Sequence, residues 1–411
     1  MVGEVIDHKR HLVMTSPETL SDPNAFSATL FEKMKLIAPC IQELELYEFR
    51  YCLKDLLPEG GWDSVALDSM DDIEIRLNNR SFYDRIQITP REKDRIVLDP
   101  QAIRLAQMLF VGLVTGEYPM EWVIRHFYFD TRGFFFLHRT IYFTDKILMH
   151  FRGKPYRQFE QKQKEFDVML EVGYKAFKEA NLEVDSLFIQ SVMKIIAARG
   201  APILLAIAGP TAAGKTEIVE RLCEVFTRAG HRVTSIELDN FLTDRDYREA
   251  MGIDSQGKAA IHFELFRQSL EDITQGKKIF IPHYDTIYAT SSHSLDGKLK
   301  PEREPIGIEP ADIIFIEGNF PFLLEEVLHL IGIKVVYLTD DPVRMKRKWR
   351  RDIDFRKKYD STYFRNRFFK DQFIMAEIAY RPQMEVCEMI VDTTGAALWT
   401  TPEIAKILYR S

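Results

Sequence analysis

One stretch near the middle of the chain restricts the fold more than any other. The apolar run from Pro202 to Ala208 leads into the sequence GPTAAGKT, and apolar residues then recur with helical spacing. Glycines near both ends of this loop let backbone N–H groups point inward, where the helix dipole adds positive charge. We therefore predict a strand, a loop and a helix, and we assign nucleotide phosphates to Gly209, Pro210, Thr211, Ala212, Ala213, Gly214, Lys215 and Thr216.

Two side chains of this loop have chemical roles of their own. Lys215 can reach the terminal phosphates of a nucleotide, and the hydroxyl of Thr216 can ligate Mg²⁺. A glycine-rich turn that binds nothing is the plainer alternative. This alternative is disfavoured because the preceding strand, the loop motif and the following helix all match the pattern of a nucleotide-binding loop.

Composition sets limits on the whole chain. Its 411 residues suffice for two or three domains at about 150 residues each. A net charge of −7 argues against a nucleic-acid partner, and no apolar run approaches the ~18 residues that span a membrane. The four cysteines lie far apart, which favours reduced thiols and a cytoplasmic protein. Self-association into a homo-oligomer stays open.

Residues 1–199 carry no catalytic motif. Apolar periodicity predicts a helix from Phe26 to Ile37, a buried helix from Ile103 to Val114, and two more over 166–177 and 188–196. Alternation over Asp72–Leu77 predicts a strand, and aromatic residues around Gly133 predict a hairpin. We expect a separate, mainly helical domain that ends near Arg199–Pro202, with the second domain over 200–411.

Residues 200–411 alternate strands and helices, which predicts an α/β fold with a doubly wound parallel sheet. Buried strands over 232–238 and 312–318 place Asp239 and Glu317 at their carboxyl ends, where ligands of such sheets bind. Asp239 can accept the proton of an attacking hydroxyl, and Glu317 can bind Mg²⁺. Two more strands are expected at 333–338 and 389–391. The polar run from Tyr284-Asp285 to Pro310 predicts an insertion that covers a substrate.

Basic residues are concentrated between 344 and 370. A solvated helix face is the usual meaning of such a run, and RNA binding is another. We favour a lid whose arginines stabilise charge during phosphoryl transfer, because the run follows the fourth strand of the sheet.

Taken together, these residues resemble the uridine kinase/phosphoribulokinase family of small-molecule kinases. The resemblance spans about residues 200–395, from the GPTAAGKT loop through Asp239-Asn240-Phe241, IPHYD at 281–285 and Glu317-Gly318 to Pro382-Gln383. It implies a P-loop kinase that uses ATP and Mg²⁺ and phosphorylates a hydroxyl of a small molecule, with a nucleoside as the first expectation. The roles implied are catalysis by Asp239, Lys215, Arg351 and Arg356, metal binding by Thr216, Glu317 and Asp239, and substrate binding by Asp239, Phe241, Tyr284, Asp285, His293 and Arg351.

Departures from the family pattern bear on the acceptor. Many uridine kinases carry Tyr where this chain has Leu242 and His where it has Ala289, and His293 lies close to the second of these positions. Pantothenate, glycerate and sugar-phosphate kinases are built on similar pieces. The loop also resembles that of tRNA dimethylallyltransferases, although residues 317–322 differ from their pattern. A non-catalytic nucleotide-binding module stays a further alternative.

Overall fold

The computed structural model describes residues 17–38, 41, 44–78, 88–91, 95–98, 100–129, 136–138, 140–159, 181–253, 256–339, 344, 347 and 375–410. These residues divide into two compact units, Met1–Arg139 and Thr140–Ser411. No helix within the described part is long and apolar enough to cross a membrane.

The first unit is mainly helical in its described part, as predicted. Its helices and strands are α1 Pro17–Ser21, α2 Pro23–Ile37, α3 Leu46–Leu53, α4 Met70–Leu77, β1 Ile88–Arg91, β2 Arg95–Leu98, α5 Pro100–Thr115, α6 Met120–His126, β3 Phe127–Phe129 and β4 Phe136–His138. The helices expected at 26–37 and 103–114 are confirmed as α2 and α5. The aromatic strands β3 and β4 pair antiparallel, and the turn around Gly133 lies outside the described residues.

Helix α4 corrects one prediction, because Asp72–Leu77 was expected to be a strand. The Ser69 hydroxyl accepts a hydrogen bond from the backbone N–H of Asp72 at 3.1 Å, which caps the helix. Ile73 and Leu77, four residues apart, are fully buried, whereas Ile75 is 70% exposed. The apolar alternation was therefore misleading, since helical spacing decides which side chains enter the core.

The second unit contains the longer sheet and its helices. Its elements are α7 Asp145–His150, β5 Arg157–Gln158, α8 Leu182–Arg199, β6 Ile203–Ala208, α9 Lys215–Arg228, β7 Val233–Glu237, α10 Arg245–Ala250, α11 Phe263–Thr274, β8 Ile279–Ile281, β9 Tyr284–Asp285, β10 Thr290–Ser291, β11 Ile306–Ile308, β12 Ile313–Gly318, β13 Ile333–Leu338, α12 Arg381–Met384, β14 Met389–Asp392, β15 Ala397–Thr400 and α13 Pro402–Tyr409. A 3₁₀ turn, Leu238–Phe241, follows β7. The helix expected over 166–177 lies outside the described residues.

The sheet has seven strands in the order β5-β15-β14-β13-β6-β12-β7. Five of them, β14-β13-β6-β12-β7, run parallel, and β15 and β5 are antiparallel at one edge. The five strands predicted within residues 200–411 are confirmed, as is the doubly wound α/β class, although β7, which was expected to be buried, buries only Ile236. Strands β8 to β11 form separate two-stranded pairs, so the insertion over 284–310 stays outside the sheet, as expected.

Helix α8 explains why the division of the chain differs from the predicted one. Val184, Phe188 and Val192 on this helix are fully buried and belong to one hydrophobic core with Leu205 and Ile207 of β6. The helix therefore belongs to the second unit. The chain is divided between Arg139 and Thr140 in the structure, whereas the sequence predicted a division at 199/200. Whether the two parts fold independently stays a prediction.

Candidate active site

The loop between β6 and α9 has a backbone that requires glycine at two positions. A Cβ atom on Gly209 would lie 2.2 Å from the carbonyl oxygen of Tyr337 on β13. This clash would be with a backbone atom, which cannot move aside as the end of a flexible side chain could. Gly214 has a φ of 104°, in the left-handed region that side chains disfavour. The loop residues 209–214 therefore form a close-fitting curve between β13 and the start of α9, as a phosphate cradle requires.

Lys215 bends back into this curve. Its ammonium group donates to the carbonyl oxygens of Gly209 at 2.9 Å and Pro210 at 3.0 Å, and to Oδ1 of Asn319 at 3.0 Å. Asn319 comes directly after β12, so an amide from the neighbouring strand helps to hold the cation over the loop. This places a positive charge where phosphate oxygens would approach the loop.

Glu317 meets Thr216 at the carboxyl end of β12. The Thr216 hydroxyl donates to Oε1 of Glu317 at 2.8 Å. Oε2 of Glu317 is buried and has no hydrogen-bond partner among the described residues. Burial raises the pKa of Glu317 to about 7, although Lys215 and the bond from Thr216 act in the opposite direction. An unsatisfied carboxylate oxygen beside a hydroxyl oxygen fits the oxygen ligands that Mg²⁺ prefers.

Two more carboxylates lie near Glu317. Glu237 on β7 is its register partner across the parallel strands, and Asp239 follows in the 3₁₀ turn. The negative charges of both contribute to the raised pKa of Glu317. The pKa of Glu237 is itself raised, mainly by burial and further by the charge of Asp239. In the described part of the chain, no three His, Cys, Asp or Glu side chains close around a single metal position. An ion held here would therefore keep water or substrate oxygens as ligands, as Mg²⁺ commonly does.

The predicted acceptor residues lie on elements next to Asp239. The backbone N–H of Tyr284 donates to Oδ1 of Asn240 at 3.3 Å, which brings β9 against the 3₁₀ turn. The Tyr284 hydroxyl accepts from Arg248 at 3.2 Å. Asp285 closes the following turn by accepting from the N–H groups of Ile287 and Tyr288.

Two other predicted substrate residues have different neighbours. Phe241 is fully buried, and its ring packs on Phe266 at 5.0 Å, so the structure places it in the core. Nδ1 of His293 lies 2.9 Å from the Ser292 hydroxyl, and its ring centroid lies 6.4 Å from that of His262. None of these contacts involves Asp239 or Tyr284, and the roles of Phe241 and His293 in binding a substrate stay predictions.

The described members of the basic run brace the loop. Arg347 donates to the carbonyl oxygen of Ala213 at 2.9 Å. Arg344 is fully buried and donates to the carbonyl oxygen of Thr339 at 2.9 Å and to the Tyr142 hydroxyl at 2.7 Å. These two arginines are therefore not part of a solvated helix face, and the predicted lid stays a prediction because the rest of the run lies outside the described residues. Arg351 and Arg356 lie outside the described residues.

Comparison with known proteins decides the family. The model of the phosphoribulokinase/uridine kinase family matches residues 204–398. A uridine kinase of Brevibacillus brevis is 32% identical over 160 residues, which cover 38% of this chain and 69% of that enzyme. The chain belongs to the phosphoribulokinase/uridine kinase family. The resemblance seen in the sequence is thus confirmed.

Another uridine kinase and a solved structure are also similar to parts of this chain. A uridine kinase of Halobacterium salinarum is 28% identical over 152 residues, which cover 36% of this chain and 62% of that enzyme. The chain therefore spans about three fifths of that relative. Among solved structures, a D-glycerate 3-kinase from Cryptococcus neoformans var. grubii has a TM-score of 0.36 and 14% identity, covering 53% of this chain and 98% of that one.

Three residues that lie at the candidate active site of this chain were not singled out by the sequence analysis. Glu237 is the last residue of β7, and Asn319 comes directly after β12. A polar residue at the carboxyl end of a buried strand was the signal that identified Asp239 and Glu317, and it applies equally to these two. Arg347 gave no such signal, because the run of basic residues around it does not show which of them turns toward the loop.

Proposed function

We propose that this chain is an ATP-dependent kinase that transfers the γ-phosphate of ATP to a hydroxyl group of a small molecule. The observation that carries the proposal is the arrangement at the carboxyl edge of the sheet. Lys215 lies within the loop, Thr216 and Glu317 pair beside it, and Asp239 follows on the neighbouring strand. Family membership supports the same activity.

Each residue has a separate role as the acceptor hydroxyl displaces ADP from the γ-phosphorus. The loop backbone and Lys215 bind the phosphate oxygens and hold the γ-phosphorus for attack. Asp239 accepts the proton as the acceptor oxygen forms its bond to phosphorus. The bond between that phosphorus and the bridging oxygen of ADP breaks, and ADP leaves with the electron pair. Arg351 and Arg356 are proposed to stabilise the charge on the transferring group.

Thr216 and Glu317 are the residues that would hold Mg²⁺, with Asp239 as a further candidate. The ion would supply positive charge against the phosphate oxygens. The buried Oε2 of Glu317 supports this role, because a carboxylate oxygen without a partner is costly unless something charged satisfies it.

In this proposal the acceptor is a nucleoside, and uridine and cytidine are the first to test. Their support is the uridine kinases among the relatives and the position of Tyr284-Asp285 next to Asn240. Leu242 and Ala289 weigh against them, because both lack the polar groups that many uridine kinases carry there. We also keep the predicted cytoplasmic location, which the free thiols of Cys223 and Cys387 suit.

One screen tests the proposal. ADP release from Mg-ATP is measured with uridine, cytidine, pantothenate, D-glycerate and pentose phosphates, and the products are identified by mass. Dimethylallyl diphosphate with tRNA is assayed in parallel, because the loop also resembles that of prenyl transferases. We expect acceptor-dependent ADP release and a product heavier by one phosphoryl group. Prenyl transfer without ADP release would overturn the proposal, and ATP binding without any phosphorylated product would favour a nucleotide-binding module.

A further inference from the structure

A buried arginine lies beside the proposed acceptor site without a counter-charge. Arg248 on α10 is 6% exposed. Its guanidinium donates to the carbonyl oxygen of Thr243 and, at 3.2 Å, to the hydroxyl of Tyr284. No carboxylate among the described residues lies within ion-pair distance of it, whereas nearby Lys300 pairs with Asp244 at 2.8 Å.

The unused capacity of this side chain is large. A guanidinium carries five N–H donors in a planar fork that matches carboxylate and phosphate oxygens. Among the described residues its two hydrogen bonds go to neutral oxygens, and its Cζ lies 5.7 Å from the centroid of the Tyr284 ring, so no carboxylate there neutralises the buried positive charge. Such a charge is costly unless an anion pairs with it. A ligand anion would remove that cost.

Arg248 is connected to the neighbourhood of Asp239 through Tyr284. Its partner Tyr284 bonds through its backbone to Asn240, the residue after Asp239. The N–H of Arg245, one turn before Arg248, donates to the carbonyl oxygen of Ala289. The next residue, Thr290, has a buried hydroxyl oxygen with no partner within the described part of the chain. A buried guanidinium and an unsatisfied hydroxyl therefore both lie at the hairpin β9–β10, the first through its bond to Tyr284 and the second on β10 itself.

We propose that Arg248 binds an anionic group of the acceptor, so that the substrate carries a carboxylate or a phosphate in addition to the hydroxyl that is phosphorylated. This inference rests on the proposed kinase function, and it puts anionic acceptors in the place that the proposal gave to neutral nucleosides. It also gives a reason for Leu242 and Ala289, because an acceptor held by its charge does not need the polar groups that many uridine kinases carry at those positions.

The test compares anionic and neutral acceptors in variants of the full chain. Arg248→Gln keeps donors for the Thr243 carbonyl and the Tyr284 hydroxyl but removes the charge, and Arg248→Lys keeps the charge without the fork. Arg228→Gln is the matched control, since Arg228 is exposed at the end of α9 and, among the described residues, makes only an ion pair with Glu224 on the same helix. The readout is kcat/KM with D-glycerate, pantothenate and ribose 5-phosphate against uridine and cytidine, with the KM for ATP measured beside it.

We expect the wild type to prefer one anionic acceptor. Arg248→Gln should lower kcat/KM for that acceptor by about 10- to 100-fold, the usual effect of losing a charged hydrogen bond, with little change in the KM for ATP. Arg248→Lys should lose less, and Arg228→Gln nothing. D-glycerate and pantothenate report on a carboxylate, and ribose 5-phosphate reports on a phosphate.

Two results would overturn the inference while leaving the kinase intact. One is a preference for uridine or cytidine over all three anionic acceptors. The other is an Arg248→Gln enzyme whose preference between anionic and neutral acceptors equals that of the wild type. Calorimetric titration of the same three anions, without turnover, covers the case in which no acceptor releases ADP and the proposed function fails. Binding to the wild type that is lost in Arg248→Gln would still support an anion site, and no binding to the wild type would reject it.

Discussion

The two units of this chain bury different kinds of side chain. In the described part of the first unit, the buried polar side chains are Ser27 and His126. The Ser27 hydroxyl bonds to the carbonyl oxygen of Asn24, and His126 lies 3.3 Å from a carboxylate oxygen of Glu74. The second unit buries several charged residues, namely Asp185, Arg248, Glu317 and Arg344.

This difference shows where burial serves something other than stability. Buried charge is expensive, and well-packed apolar residues would do as well or better for folding alone. Three of the four charged residues act on the loop or on β13 beside it. Glu317 bonds to Thr216, Arg344 lies near the carbonyl oxygen of Thr211, and Asp185 accepts from the hydroxyl of Tyr337 at 2.7 Å. The cost is therefore concentrated around the proposed phosphate site.

The largest expected effect comes from cutting the chain at the two candidate boundaries. A fragment of residues 200–411 lacks α8, whose buried side chains each contribute about 1.5–3 kcal/mol to folding. That loss is comparable with the whole stability of a typical domain. We expect this fragment to melt without cooperativity, whereas residues 140–411 should melt cooperatively and bind ATP. Calorimetry and ATP titration of both fragments measure the difference, and a stable, ATP-binding 200–411 fragment would restore the boundary predicted from the sequence.

Lys215→Ala should give the next largest effect. The substitution removes the ammonium that lies within the loop, so both ATP binding and turnover should fall, with kcat lower by about 10²- to 10³-fold. Single-turnover kinetics and ATP titration separate the two losses. Lys277→Ala serves as the control, because Lys277 pairs with Asp272 on the surface, and an equal loss in both variants would contradict a role for the loop lysine.

Asp239→Asn should affect turnover alone. The amide keeps the shape of the side chain but cannot accept the hydroxyl proton, so kcat should fall by ~10²-fold or more. ATP affinity should change little, because the loop and Lys215 hold the phosphates. Binding is measured with and without Mg²⁺, since Asp239 is also a candidate metal ligand, and Glu237→Gln is the neighbouring comparison. A wild-type rate in Asp239→Asn would show that another group is the base.

Glu317→Gln should separate function from stability through pH. The pKa of Glu317 is raised from its ordinary value of 4.5 to about 7, so between these values the native state binds more protons than the unfolded state. The free energy of unfolding of the wild type therefore falls as pH rises through this range, by up to about 3 kcal/mol. Glutamine does not ionise, so its Tm relative to the wild type should be higher at pH 8 than at pH 5, while its Mg²⁺ affinity is lost.

In the wild type, Mg²⁺ should bind more weakly at pH 6 than at pH 8, because the metal needs the ionised carboxylate. Thermal melts of both proteins at pH 5 and pH 8, with Mg²⁺ titrations at pH 6 and pH 8, measure these effects. A Tm difference between the proteins that is the same at pH 5 and pH 8 would contradict the raised pKa.

The smallest expected effect on the site comes from the core of the first unit. Phe26 is fully buried and stacks on Trp62, with ring centroids 4.2 Å apart. Phe26→Leu should lower the free energy of unfolding by about 1–2 kcal/mol. The KM for ATP should stay unchanged, because this core belongs to the other unit. A changed KM for ATP would show that the two units are coupled.

Sequence reasoning succeeded where one local signal sufficed. Most parallel strands of the central sheet appear as buried apolar runs, whereas β7 at its edge buries only Ile236. The loop follows from its glycines and Lys215. The same reasoning failed at Asp72–Leu77, where apolar alternation and helical spacing compete over a few residues. It did not predict that the ring of Phe241 packs on Phe266, because no pattern in one sequence shows which way a ring points, and the role of Phe241 in binding a substrate stays a prediction.

The sequence by itself determined the α/β class, the glycine-containing loop between β6 and α9, and the two carboxylates that follow or end strands, because each depends on residues that are neighbours in the chain. Tertiary structure alone decided that α8 belongs to the second unit, that Arg344 and Arg347 brace the loop, and that Arg248 lies buried beside Tyr284. These arrangements join residues far apart in sequence, and packing between elements, which local periodicity does not encode, sets which of them meet.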